Sequence, residues 1–250
     1  FSSLFTNIQV DTLIDAYATK ENIAALRKKL LGTTINDRVI ISVNGHGLLS
    51  DSLDFYFATH DVDFDKPQLR GLRYEDLEAL LDGIPARKKL LLIDACHSGA
   101  LDKEEILARQ KDNKLMLKDT SSDKGQITGV ASRGIIIEQS QSALDANSSY
   151  EVMQNLFADI SSGNGAVIIS AAGGMEYAFE SDKWNNGVFT YCIRKGIEED
   201  LADKEGGNND RMVSVSELKN YVSRKVSELT GGLQKPVSRK ENIEFDWIVW

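Results

Sequence analysis

The run Lys89-Leu90-Leu91-Leu92-Ile93-Asp94-Ala95-Cys96-His97-Ser98-Gly99 constrains the fold of this chain more than any other stretch. Uninterrupted apolar residues stop abruptly at a polar cluster that holds one cysteine. A short apolar run bounded by polar residues and glycine reads as a strand buried on both faces, the pattern of a parallel sheet covered by helices. Cys96 then stands at the carboxyl end of that strand, the edge of an open α/β sheet where ligands bind. A second run, Arg38-Val39-Ile40-Ile41-Ser42-Val43-Asn44-Gly45-His46-Gly47, has the same form and is expected to end on a histidine between two glycines. If the two strands are parallel neighbours, His46 and Cys96 meet at one edge. That gives a thiol and a base, with flanking residues small enough for a substrate backbone to approach.

The chain has three histidines, His46, His60 and His97, and two cysteines, Cys96 and Cys192. A lone cysteine is more often a buried core residue than a nucleophile. The surroundings of Cys96 argue otherwise: a core cysteine does not need Asp94, His97, Ser98 and Gly99 around it, and polar residues are costly in a core unless paired. His97 is the weaker base, since neighbouring side chains on an extended segment point to opposite faces. Cys192 lies among Val188, Tyr191 and Ile193 and reads as core.

The two strand ends, Gly45-His46-Gly47 and Asp94-Ala95-Cys96-His97-Ser98-Gly99, together resemble the caspase-like cysteine peptidases. Within them they look most like the bacterial caspase-like proteins, metacaspases and paracaspases. The histidine precedes the cysteine by 50 residues (96 minus 46), the interval that caspases show. The resemblance covers about residues 19 to 236. It implies an α/β fold: a three-layer α/β/α arrangement with a mostly parallel central sheet and helices on both faces. It also implies one peptidase domain over residues 1–250. Residues 1–111 would be the large-subunit-like part, 112–149 an intersubunit-type linker and 150–250 the small-subunit-like part. In such folds the His46 strand is the third, so a first strand and helix are expected ahead of it and are not found in this numbering. The missing initiator Met leads us to expect a longer protein, with an upstream sensor or repeat domain or a partner chain.

Composition narrows the function classes. With 250 residues and 42% hydrophobic content, the chain can bury one sizeable α/β core without a second domain. Acidic residues outnumber basic ones 38 to 29, giving a net charge of −9. That disfavours nucleic acid and anionic membranes and is compatible with basic peptide substrates. Two distant cysteines make no disulfide framework and suit a reducing compartment, so a cytoplasmic location is expected. No apolar run approaches the roughly 20 residues of a membrane span. Phe1-Ser2-Ser3-Leu4-Phe5 lacks the basic start of a signal peptide.

Along the chain, Thr19 caps a helix striped by Ile23, Leu26 and Leu30 and closed by Gly32. Leu53 to His60 alternates and reads as a strand. The alternating acids Asp61, Asp63 and Asp65 could ligate calcium, but the glycine and terminal glutamate of a helix-loop-helix calcium site are absent, so a solvated acidic loop is expected. Tyr74 to Asp82 reads as a helix with Leu77, Leu80 and Leu81 inward, ended by Gly83-Ile84-Pro85. Leu101 to Lys111 looks helical, and Gln126–Val130 with Gly134–Ile137 suggests a short hairpin. Tyr150 to Ile160 reads as an amphipathic helix and Gly165 to Ala172 as a buried strand. A loop follows from Gly173 to Glu180, then a helix from Val188 to about Ile197, an acidic loop from Asp203 to Asp210, and a helix from Ser216 to Leu229 capped by Ser214 or Ser216. Phe245 to Trp250 is a last strand or an exposed aromatic tail that docks elsewhere.

The resemblance implies peptide-bond hydrolysis by Cys96 as nucleophile and His46 as its base, with the backbone N–H groups of Gly47 and Cys96 as the oxyanion hole. No metal or other cofactor is implied. Aspartate-specific caspases carry a glutamine two residues before the cysteine; here that residue is Asp94. Ala178-Phe179-Glu180 looks like the paracaspase segment whose glutamate lines the S1 pocket. Asp94 and Glu180 together would bind a P1 arginine or lysine and repel P1 aspartate. Such a peptidase could process itself in the linker at Lys118, Lys124 or Arg133. Where metacaspases carry a serine two residues before the histidine, this chain has Asn44. Two other readings stand beside this one: a catalytically silent caspase-like scaffold or regulatory binding module, and another hydrolase on the same fold, such as a thioesterase or transpeptidase.

Overall fold

The computed structural model describes residues 5–50, 54–97, 130–132, 165–171, 179–181, 186–240 and 246–250. Its strands, in chain order, are β1 (Arg38–Leu49), β2 (Phe55–Phe57), β3 (Leu72–Arg73), β4 (Lys88–His97), β5 (Val130–Ser132), β6 (Val167–Ser170), β7 (Phe179–Ser181), β8 (Asn186–Gly187) and β9 (Val237–Lys240). Its helices are α1 (Lys20–Leu30), α2 (Pro67–Arg70), α3 (Tyr74–Leu81), α4 (Val188–Glu198), α5 (Leu201–Lys204) and α6 (Val215–Leu229).

The described strands form a mixed six-stranded sheet in the order β3-β2-β1-β4-β6-β9 and a smaller sheet in the order β5-β7-β8. The centre of the large sheet is parallel, β1 on β4 and β4 on β6. Its flanks are antiparallel: β2 and β3 beyond β1, and β9 beyond β6. The apolar run of β4 explains why the parallel part lies in the middle, since both of its faces are covered. Leu90 and Leu92 join Val167 and Ile169 in one core with Phe189 and Cys192 of α4 and Leu218 and Tyr221 of α6. Leu91 and Ile93 join Ile168 and Val39 in a second core with Leu77, Leu80 and Leu81 of α3, against which Ile23 and Leu30 of α1 pack. Alternate residues of one strand thus serve opposite cores, which makes three layers. Each fully buried leucine here is worth about 1.5–3 kcal/mol of transfer free energy.

The helix ends follow their capping residues. The Thr19 hydroxyl accepts from the Asn22 N–H at 3.3 Å. Ser214 and Glu217 form a reciprocal capping box at the start of α6, so Ser214 is the cap and Ser216 is not. Gly231 and Gly232 both have positive φ, and the Gly232 N–H donates to Ser227 O at 2.7 Å, closing the far end.

Several segments differ from the sequence expectation. β1 does not stop at His46 but runs on to Leu49, because Gly47 to Leu49 pair antiparallel with Phe57 to Phe55 of β2. The strand expected from Leu53 to His60 is confined to Phe55–Phe57 among the described residues. Of the hairpin expected from Gln126–Val130 and Gly134–Ile137, Val130 alone lies among the described residues; it opens β5, which pairs with β7. Phe179 and Glu180, expected in a loop, are held in β7 between β5 and β8. The acidic stretch from Asp203 begins as helix: α5 includes Asp203, which is 1% exposed and accepts from the N–H groups of Asp210 (3.2 Å) and Arg211 (2.8 Å). A buried carboxylate taking two backbone donors organises the loop around itself. The C-terminal residues are neither a strand of the large sheet nor an exposed tail. Trp247 and Val249 are buried, and residues 247–250 bond along Val213 to Val215 as an antiparallel strip. Among the described residues, no strand precedes Arg38.

Candidate active site

β1 and β4 pair in continuous parallel register from Arg38↔Lys88 to Gly47↔His97. Within that ladder His46 stands opposite Cys96, and one pleat below it Asn44 stands opposite Asp94. Counting by twos from Leu90 and Leu92, positions 94 and 96 of β4 belong to the face that carries α4 and α6. Positions 44 and 46 of β1 share that face, as in-register neighbours do. Cys96 is the second-last residue of β4, at its carboxyl end. His46 is half-buried, and its carbonyl accepts from the Ala58 N–H at 2.8 Å, so the hairpin partner pins the backbone at this point. Gly47 lies between two strands, opposite Phe57 on one side and His97 on the other. Gly45 borders open space: a Cβ built there meets no heavy atom within 4 Å.

Asp94 is 1% exposed. Its Oδ2 accepts from the Thr190 N–H at 3.3 Å and from the Thr190 hydroxyl. Thr190 is the third residue of α4, whose N-cap is Gly187. Its N–H therefore belongs to the first turn, where helix donors lack intrahelical partners and negative charge is favoured. The same hydroxyl lies 2.8 Å from Asn44 Oδ1, and Asn44 Nδ2 donates to Ser42 Oγ at 3.1 Å. Nothing in the sequence singled out Thr190; the one available signal was a polar residue in the apolar run Val188-Phe189-Thr190-Tyr191-Cys192.

Glu180 is placed in the smaller sheet, opposite Ala131 on one side and Gly187 on the other. Gly187 is the N-cap of α4, so Glu180 is in register with the residue three positions before Thr190, which holds Asp94. The structure thus brings together His46 with Cys96, and Asn44 with Asp94 and Thr190. It ties Glu180 to the same helix start. Cys192 is fully buried in α4, and burial pushes its thiol up to about 12. A thiol kept protonated among apolar side chains is a packing residue and no nucleophile.

In the acidic stretch Asp61 to Asp65, Asp61 lies within 3.4 Å of Arg70 Nη1 and accepts from the Thr59 hydroxyl, and Asp63 accepts from the Asp65 N–H at 3.0 Å. These contacts stabilise a turn. His60 is exposed on that turn, and its N–H donates to Ala18 O at 2.9 Å, which places it outside the His46 and Cys96 pairing. The linker lysines Lys118 and Lys124 and Arg133 lie outside the described residues, as do the helices expected at Leu101–Lys111 and Tyr150–Ile160.

A family model described as the caspase domain matches residues 1–246. The chain belongs to the caspase-domain family. That family is one of cysteine-type peptidases, hydrolases whose substrates are proteins. The α/β layers and the mixed sheet of the chain are those of a caspase-like fold. No curated protein matches the chain. Among the described residues of this caspase-domain chain, no helix is long and apolar enough to cross a membrane.

Proposed function

We propose that the chain is a cysteine endopeptidase that cleaves proteins after arginine or lysine. The observation that carries this reading is the His46↔Cys96 register on adjacent parallel strands within a caspase domain. The Cys96 thiolate attacks the scissile carbonyl carbon. As the S–C bond forms, the carbonyl π pair moves onto oxygen, and the N–H groups of Gly47 and Cys96 receive that charge. The His46 imidazolium gives its proton to the departing amine as the C–N bond breaks, leaving an acyl-enzyme thioester. Water then attacks the thioester, His46 takes its proton, and the C–S bond breaks to release the acid. No step calls for a metal.

Basic P1 preference rests on two acids. Asp94 lies on the Cys96 face of β4, one pleat below it, and the backbone of Glu180 is tied to the same helix start. The negative charge of a buried carboxylate acts strongly through its low-dielectric surroundings and favours a cationic P1 group over an anionic one. The same preference would let the chain process itself in the linker at Lys118, Lys124 or Arg133.

The test is initial-rate cleavage of fluorogenic peptides with Arg, Lys or Asp at P1, on the wild type beside Cys96→Ala. Cleavage after Arg and Lys that vanishes in the variant is expected. Cleavage after Asp would overturn the pocket while keeping the peptidase. No cleavage of any peptide would favour a silent scaffold.

A further inference from the structure

We propose that Thr190 is a positioning residue for P1 specificity: from the first turn of α4 it holds the Asp94 carboxylate in place beneath the Cys96 end of β4. This rests on the basic P1 reading above. Two donors from one residue converge on Asp94 Oδ2, the Thr190 N–H at 3.3 Å and its hydroxyl. The hydroxyl carries a single proton and therefore serves one acceptor at a time. Between its two neighbours, the buried carboxylate of Asp94 is the stronger acceptor, while Asn44 is exposed and has Ser42 beside it.

The placement matters because Asn44 and Asp94 are the in-register pair directly below His46 and Cys96. One threonine hydroxyl therefore touches both central strands beneath the reactive pair, from a helix whose preceding residue Gly187 is in register with Glu180. A carboxylate with a hydrogen-bonded oxygen has a fixed direction, and a cationic P1 group is recognised by a charge held in one place. Removing the hydroxyl takes away one of the two donors that Thr190 offers Asp94 and leaves its backbone N–H at 3.3 Å.

The experiment measures kcat and KM for peptides with P1 Arg and with P1 Gln on the wild type, Thr190→Val, Thr190→Ala and Thr190→Ser. Thr190→Val keeps the shape and removes the hydroxyl. Thr190→Ala covers the case in which Val does not fold, and Thr190→Ser restores the hydroxyl. The expected result is a fall of about tenfold in the Arg-over-Gln ratio of kcat/KM for Val or Ala, carried mainly by a higher KM for Arg, with Ser within about threefold of wild type. A Val or Ala variant that slows both peptides alike and keeps the ratio would show a purely structural residue and overturn the inference, while the basic P1 reading survives. Failure of both Val and Ala to fold where Ser folds would overturn it in the same way. A wild type with no preference for Arg over Gln would instead sink the reading beneath it.

Discussion

At the scale of single residues, the two cysteines of one chain are set to opposite tasks by their surroundings. Cys96 ends a strand in register with His46, whereas Cys192 is enclosed between α4, α6 and the sheet. Iodoacetamide on the native protein at neutral pH is therefore expected to alkylate Cys96 and spare Cys192, with both modified in denaturant; peptide mapping reads the outcome. Burial raises the Cys192 thiol from 9.0 to about 12. A raised value means the folded state holds the proton more tightly. The stabilisation is complete below about pH 9 and fades as pH climbs towards 12, by at most about 1.4 kcal/mol per pH unit. Urea midpoints measured from pH 8 to 11 should fall more steeply for the wild type than for Cys192→Ala. Equal slopes would mean the thiol is not shielded. His46→Ala is expected to lower kcat/KM on a P1 Arg peptide by at least about 100-fold, since a general base contributes on that order. A loss of a few-fold would remove His46 from the chemistry.

At the scale of elements, α4 and α6 cross where Gly196 has no side chain. A Cβ on Gly196 would stand 3.0 Å from the Tyr221 ring and 3.2 Å from Leu218 Cδ1, and both residues are fully enclosed. Alanine gains about 1 kcal/mol of helix propensity, yet overpacking a rigid contact costs about 1–3 kcal/mol. Gly196→Ala should therefore lower the thermal midpoint, and a rise would show that the helices can part. Ser214→Ala removes the hydroxyl half of a capping box and is expected to cost about 1 kcal/mol in urea unfolding. The elements legible in the sequence carry their own signals: the apolar runs of β4 and β6, the Thr19 cap, the helical stripes of α1 and α3, and Ser214 as one of two candidate caps of α6. What was not legible depends on partners distant in sequence. β9 was not anticipated, because Val237–Lys240 acquires strand form only at the edge of β6. Three-residue β5 and β7 and two-residue β8 define one another, and Leu201–Lys204 turns helical around buried Asp203. At the site, the apolar runs leading to Cys96 and His46 were readable, but the glycines around His46 did not end β1, which continues to Leu49. Thr190 was not readable, since its meaning arises from Asp94, 96 positions earlier.

At the scale of the whole molecule, a net charge of −9 should draw basic peptides towards the chain. The value of kcat/KM for a P1 Arg peptide is expected to fall as salt rises from low to physiological strength, more than for a P1 Gln peptide, because screening shortens the reach of that field. A flat response for both would confine recognition to the pocket. Chelation is expected to leave cleavage unchanged, since Asp61 and Asp63 serve turn contacts and the proposed reaction runs on the thiol and imidazole alone. The central claim is that one strand-end thiol, paired with the histidine beside it, performs covalent catalysis. It is tested most directly by mapping the label left by a peptidyl-arginine ketone that alkylates active-site cysteines. The account predicts one label per chain, on Cys96, lost in Cys96→Ala and strongly slowed in His46→Ala. A label on Cys192, or labelling of Cys96 that ignores the loss of His46, would contradict it.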